Sequence, residues 1–250
     1  MIDAIALAAL VALAFVAAGF VKGVVGMGLP TVAIGLLSLV MAPHSAAALL
    51  VVPSLFTNVW QLFAGPRFAV LVRRLAGMLL AAVVGTLLSI EVLTGSSSSL
   101  ASGALGSILA VYGLFGLAAR RLSVPARAES WLSPLVGLFT GLIAGATGVF
   151  AIPAVPYLSA LGLAKEELIQ ALGLFFTVST LALAAALALS GKYQWVTAAS
   201  SLLAVLPALL GMFIGQRVRD KLAPEVFRRC FFIGLVALGI YMLGRALLPQ

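Results

Sequence analysis

Long apolar runs alternate with short polar connections along the whole chain. Residues 4–23 form an apolar stretch that ends in a cluster of glycines, and residues 31–41 are apolar again but too short to cross a bilayer. Pro43 and His44 mark a turn. Residues 46–64 make a full span, interrupted by Pro53 and carrying Thr57, Asn58 and Gln61 towards its end. Gly65-Pro66-Arg67 leads into a span near 70–90, then a polar loop from Glu91 to Ser99, then a stretch over 100–119 that ends at Arg120-Arg121. Runs of roughly 20 residues have the length a helix needs to cross the hydrocarbon core. The pattern predicts an all-α polytopic membrane protein.

Two stretches depart from it. Gly19-Phe20-Val21-Lys22-Gly23-Val24-Val25-Gly26-Met27-Gly28-Leu29-Pro30 places glycines, a cation and a proline inside an apolar run. Gly137 to Gly148, with Pro153 and Pro156 beyond, does the same in the second half. Paired interruptions of this kind point to a transporter binding site built on broken helices.

The halves correspond. Gly19 and Gly23 match Gly137 and Gly141 at an offset of 118, and Gly28, Phe56 and Thr57 match Gly148, Phe176 and Thr177 at 120. Gly65, Gly85 and Gly113 match Gly191, Gly211 and Gly239 at 126. The chain therefore divides into a first membrane repeat over 1–122, a cytoplasmic linker over 123–130 and a second repeat over 131–250. Loop charge sets the halves in opposite senses. The 65–74 loop is basic whereas its counterpart near 191–197 carries only Lys192; the 91–99 loop lacks cations whereas 216–229 carries five. Cationic loops face the cytoplasm, so the expectation is two inverted-topology repeats, each a re-entrant or broken helical hairpin plus three transmembrane helices. Residues 5–41 and 131–162 must each begin and end on one side. A hairpin suits this better than two short crossing helices, because about 11 residues at ~1.5 Å each reach only half-way through a ~30 Å core. Both termini then lie outside, with the first apolar run retained as a membrane element.

Composition agrees: 63% of the 250 residues are hydrophobic and 9% charged, mean hydropathy is +1.23, and soluble domains carry nearer ~25% charge. The net charge of +8 does not signal nucleic acid, since 11 of the 15 Lys and Arg cluster in three connections between spans. Trp60, Trp131 and Trp195 fall near span ends, where aromatic belts form.

Lys22 lies inside the first broken segment with no acid nearby in sequence. A charge there costs at least ~2.5–3.5 kcal/mol on insertion scales, which marks it as an anion-attracting group unless its head snorkels to an interface. Glycine permits turns, and helix-start amides favour negative charge. The candidate substrate-binding set is Lys22, Gly23, Gly26, Gly28, Thr57, Asn58, Gln61, Gly145, Thr147, Gly148, Thr177 and Thr180. Within it Gly23, with Gly19, Gly137 and Gly141, also has the small-xxx-small spacing of helix packing, whereas Gly26, Gly28, Gly145 and Gly148 read as backbone open to substrate. The hydroxyls and carboxamides could equally serve interhelical hydrogen bonds.

With its two glycine segments, Gly19 to Pro30 and Gly137 to Pro153, and the paired polar spans 46–64 and 168–190, the chain resembles the sulfite exporter TauE/SafE family of membrane permeases over essentially its whole length. The resemblance implies an inner-membrane transporter, an exporter by family name, of small sulfur-containing anions such as sulfite, thiosulfate or organosulfonates. The segments here read Gly26-Met27-Gly28-Leu29-Pro30 and Gly145-Ala146-Thr147-Gly148-Val149, departing from the family's adjacent glycines. An anion channel, and a permease for another anion such as a carboxylate, stay open; so does a homodimer. An enzyme is not expected, because His44 and Cys230 each stand alone and no Asp or Glu falls in a span core. No phosphate-binding loop suggests ATP drive and no cofactor is expected. The partners are the bilayer and a small anion.

Overall fold

A computed structural model describes residues 4–63, 65–95, 98–118, 123–193, 195–219, 221 and 224–247. Arg120 and Arg121, Ser96 and Ser97, and the side chain of Trp195 lie outside them. The described residues form the helices α1 (Ala4–Val25), α2 (Leu29–Leu37), α3 (Pro43–Leu62), α4 (Phe68–Thr94), α5 (Ser98–Ala118), α6 (Ala126–Thr147), α7 (Ala154–Ala160), α8 (Lys165–Leu189), α9 (Trp195–Leu203), α10 (Val205–Arg219) and α11 (Pro224–Leu247). Eight helical stretches are long and apolar enough to cross a membrane, and α9 and α10 together supply one of them. The chain is a multi-pass membrane protein.

The order long, short, long, long, long runs through α1–α5 and again from α6 to α11, with α1 and α6 both 22 residues. Glycine ends each of these two helices. Gly26 at φ 82° and Gly148 at φ 74° take the left-handed conformation that terminates a helix at little steric cost. Each also donates its N–H to the carbonyl four residues back, Lys22 O and Ala144 O, at 2.7 Å. Gly28 at φ 100° then opens α2, where Pro30 needs no amide partner in the first turn. Further on, Pro207 cannot donate to Leu203 O and crowds it, which accounts for the separation of α9 from α10 at Ala204. The second half also starts its helix early: α6 begins at Ala126, inside the stretch expected as linker.

Four pairings hold the bundle: α4 on α6, α1 on α10, α5 on α11 and α3 on α8. Lipid tails are as apolar as leucine, so helices in a membrane associate through close packing rather than through release from water. Gly19 and Gly23 accordingly face Ala208, Met212 and Gly215 of α10 with no room for a side chain. Gly137 and Gly141 face Met78 and Ala82 of α4 in the same way, so all four glycines pack helices as their spacing suggests. At the centre, α3 and α8 are the most enclosed spans, with 61% and 67% of their apolar windows buried.

A Cβ at Gly141 would lie 2.1 Å from Ala82 O, whereas one at Gly234 of α11 would meet nothing within 4 Å. Gly141→Ala is expected to destabilise the protein by about 1–3 kcal/mol through overpacking. Gly234→Ala should be neutral or stabilising by up to ~1 kcal/mol. Thermal unfolding of both variants in one detergent tests the contrast; equal shifts would contradict it.

Candidate functional site

Positions 54, 57, 58 and 61 recur at helical spacing and so share one face of α3. Towards that face α1 sends Lys22, its side chain 4% exposed. The ammonium donates to Thr57 Oγ1 at 3.1 Å and, by a short bond, to Asn58 Oδ1. Asn58 turns its amide to Thr180 Oγ1 on α8 at 3.4 Å, joining three helices. Thr180 lies in the interior of the 25-residue α8, so the Lys22 head is enclosed among α1, α3 and α8.

Pro53 shapes the frame. It lacks an N–H, so Leu49 O loses its helical partner. Ser201 of α9 takes that place, its fully buried hydroxyl donating to Leu49 O at 2.5 Å and accepting from Val52 N at 3.3 Å. The carbonyl that Pro53 leaves unpaired in α3 is thus satisfied from outside, one turn before the residues that hold Lys22.

Gln61 ties the first interruption to α8: its Nε2 donates to Gly26 O at 3.2 Å and to Ile169 O at 3.1 Å. Just below, Gln170 donates to Leu62 O at 2.9 Å and Gly65 O at 2.6 Å, and accepts from Arg67 N at 2.8 Å. Arg67–Glu167 and the bidentate Arg74–Glu129 pair lie at the same end.

The second interruption approaches from the other half. Gly148 packs against Ile34 of α2 and Ala47 of α3, and Val149, Phe150 and Ala151 are buried behind it. Phe150 meets Phe176 of α8 with ring centres 5.6 Å apart. Irregular backbone at membrane depth has to be enclosed by protein, and here it is.

The remaining candidates divide. Thr147 donates to Ile143 O and accepts from Val149 N, capping the break, and Thr177 donates to Gly173 O. Gly28 adjoins Phe231 and Val21. Gly23 packs on α10. Gly145, read from sequence as backbone open to substrate, instead continues the packing row of α6: a Cβ there would lie 2.2 Å from Thr86 O. Sequence reasoning missed Ser201, Gln170 and Ser54. Only the lone proline in a polar span hinted that α3 would need a hydroxyl from elsewhere.

Among the described residues Lys22 is the one charged side chain in the buried set, and the ion pairs run elsewhere. No group of three or more His, Cys, Asp or Glu comes together among them. The arrangement offers a positive charge held by neutral hydrogen-bonding partners.

Asn58→Leu strips the ammonium of a principal acceptor and is expected to cost about 1–3 kcal/mol. Lys22→Met alone should be near neutral, because replacing a buried charge by an apolar group of similar size often is. The double variant should then be more stable than Asn58→Leu, a non-additivity that thermal unfolding reads directly. Additive losses would mean that the two side chains are not coupled.

The Sulfite exporter TauE/SafE family model matches residues 11–242, which includes every residue of this site. No curated protein matches the chain, and no solved structure does. A match of that length, over a chain whose described residues include eight stretches long and apolar enough to cross a membrane, assigns the chain to the TauE/SafE sulfite exporter family of membrane permeases.

Proposed function

We propose that this permease is a secondary transporter that exports a small sulfur-containing oxyanion, such as sulfite or an organosulfonate, across the cytoplasmic membrane. The anion lies against Lys22, between the two broken segments. One observation carries the reading: a buried ammonium with only neutral partners, in a frame without a carboxylate among the described buried residues. A charge so placed is costly and is kept in membrane proteins for solutes or ions.

The inverted repeat draws support from the pairings. The seam of α1 on α10 has its counterpart in α6 on α4, each half lending its broken helix to the other, while α3 and α5 pair with their own equivalents α8 and α11. A re-entrant path for the first segment draws support from depth. Lys22 meets Asn58, which bonds Thr180 in the interior of α8, yet it is only three residues from the end of α1. From there the 9-residue α2, about 13 Å long, has the reach to return to the side from which α1 came. The basic ends of α4, α6, α10 and α11 then face the cytoplasm, and both termini lie outside.

Uptake into proteoliposomes tests the reading. Wild-type protein is expected to give saturable sulfite or methanesulfonate flux. Lys22→Met should lower it roughly tenfold to hundredfold, the worth of one hydrogen bond to a charged group. Flux that persists at full rate in Lys22→Met, with its saturation unchanged, would remove Lys22 from the site and sink the mechanism.

A further inference from the structure

The charge inventory around Lys22 restricts what the site can hold. This step rests on the transport reading in placing the anion against that ammonium. The side chains that hold it, and the one bonded to them on α8, are neutral: Thr57, Asn58 and Thr180. Two of the three ammonium protons point at Thr57 Oγ1 and Asn58 Oδ1, which leaves one N–H for a ligand.

Two hydroxyls on the same central pair of helices are unspent. Ser54 is 0% exposed and Ser179 is 2% exposed, and neither Oγ has a hydrogen-bond partner. Their neighbours behave otherwise. Thr57, Thr177 and Thr180 each donate to the carbonyl four residues back, the usual refuge of a hydroxyl inside a helix. Ser54 lies one turn before Asn58 on the polar face of α3. Ser179 adjoins Thr180 and shares a face of α8 with Phe176, which meets Phe150 of the second interruption. A buried hydroxyl left without a partner is unfavourable, and a bound oxyanion would relieve it.

We propose that the site is matched to a single negative charge, so that it accepts a monoanionic oxyanion, a sulfonate or hydrogensulfite, and rejects dianions such as sulfate. One ammonium offsets one charge. Ser54 and Ser179 complete the shell as neutral donors to the remaining oxygens. A dianion would keep an uncompensated charge inside the bundle, a penalty that corresponds to binding weaker on the order of 100-fold.

Competition against sulfite uptake in proteoliposomes, paired with thermal-shift binding to the purified full chain, tests this with methanesulfonate, sulfate and acetate at matched ionic strength. Methanesulfonate is expected to compete and to raise the unfolding temperature, with sulfate on the order of 100-fold weaker in both measurements. Sulfite flux should rise as the medium goes from mildly alkaline to mildly acidic and hydrogensulfite accumulates. Methanesulfonate, whose charge is fixed, should show no such rise, which separates the charge of the solute from any titration of the protein. Ser54→Ala and Ser179→Ala should each weaken methanesulfonate binding roughly tenfold; unchanged binding would remove those hydroxyls from the shell. Sulfate competing as well as methanesulfonate overturns the single-charge match. Acetate competing where methanesulfonate does not would leave that match standing and overturn the sulfur-oxyanion reading. If no anion competes and no flux saturates, the transport reading itself fails and this inference falls with it.

Discussion

A lone ammonium removed from water has to be held, and the holding of Lys22 by Thr57 and Asn58 is the constraint from which the central geometry follows. With no carboxylate among the described buried residues to neutralise it, the charge is held by oriented neutral dipoles, which are effective when rigid and enclosed. That requirement reaches outward. Asn58 must present its oxygen to Lys22, so its amide faces α8 and bonds Thr180. Pro53 leaves Leu49 O without its helical partner, and Ser201 takes that place. And α1 must end nearby, where Gln61 grips the carbonyl of Gly26.

Packing of backbone against backbone delivers the charge to that place. Gly19 and Gly23 let α1 approach α10 until main-chain atoms touch, and no side-chain repacking can slide such a seam by a fraction of an ångström. Gly137, Gly141 and Gly145 fix α6 on α4 in the same manner and so set where Gly148 turns the second segment towards α2. The two interruptions are thus positioned by rows of small residues about one to three turns before them. Glycine serves twice along one helix, first as a flat packing surface and then as the residue that can adopt a positive φ.

That double use explains what could be read from the chain and what could not. The breaks were legible because Gly26, Gly28, Gly148 and the nearby prolines have no other reason to gather in an apolar run. Lys22 was legible as a charge without a local partner, and Thr57, Asn58 and Gln61 as polar residues set in a membrane span, but that Thr57 and Asn58 would hold Lys22 was not. Gly145 was not, because a glycine beside a break can serve packing or exposure, and only its neighbours Thr86 and Ser89 decide which. Ser201 escaped notice for a different reason. It completes a hydrogen bond with Leu49, 152 residues away, and a serine in an apolar helix carries no mark of the carbonyl it will satisfy. Gln170, which clamps the turn after α3 from 103 to 108 residues away, is illegible in the same way.

The duplication proposed from the matched glycines sharpens the point about charge. Thr140 is the equivalent of Lys22 at the first offset and Val178 the equivalent of Asn58 at the second, so one half lacks both the cation and the acceptor that holds it. Thr140 is fully buried and spends its hydroxyl on Val136 O at 2.8 Å, and Val178 offers no polar atom at all. By contrast Thr57 and Thr177, equivalent and both retained, donate to the carbonyl one turn back in either half and need no cation. The hydroxyl that is self-sufficient occurs twice, whereas the interdependent pair occurs once. Two ammoniums in one enclosed core would repel at an interior dielectric far below that of water, and each would need its own carboxamide. On the proposed duplication, the proposed site needs the two matched positions to differ together, and Thr140 and Val178 do differ from Lys22 and Asn58.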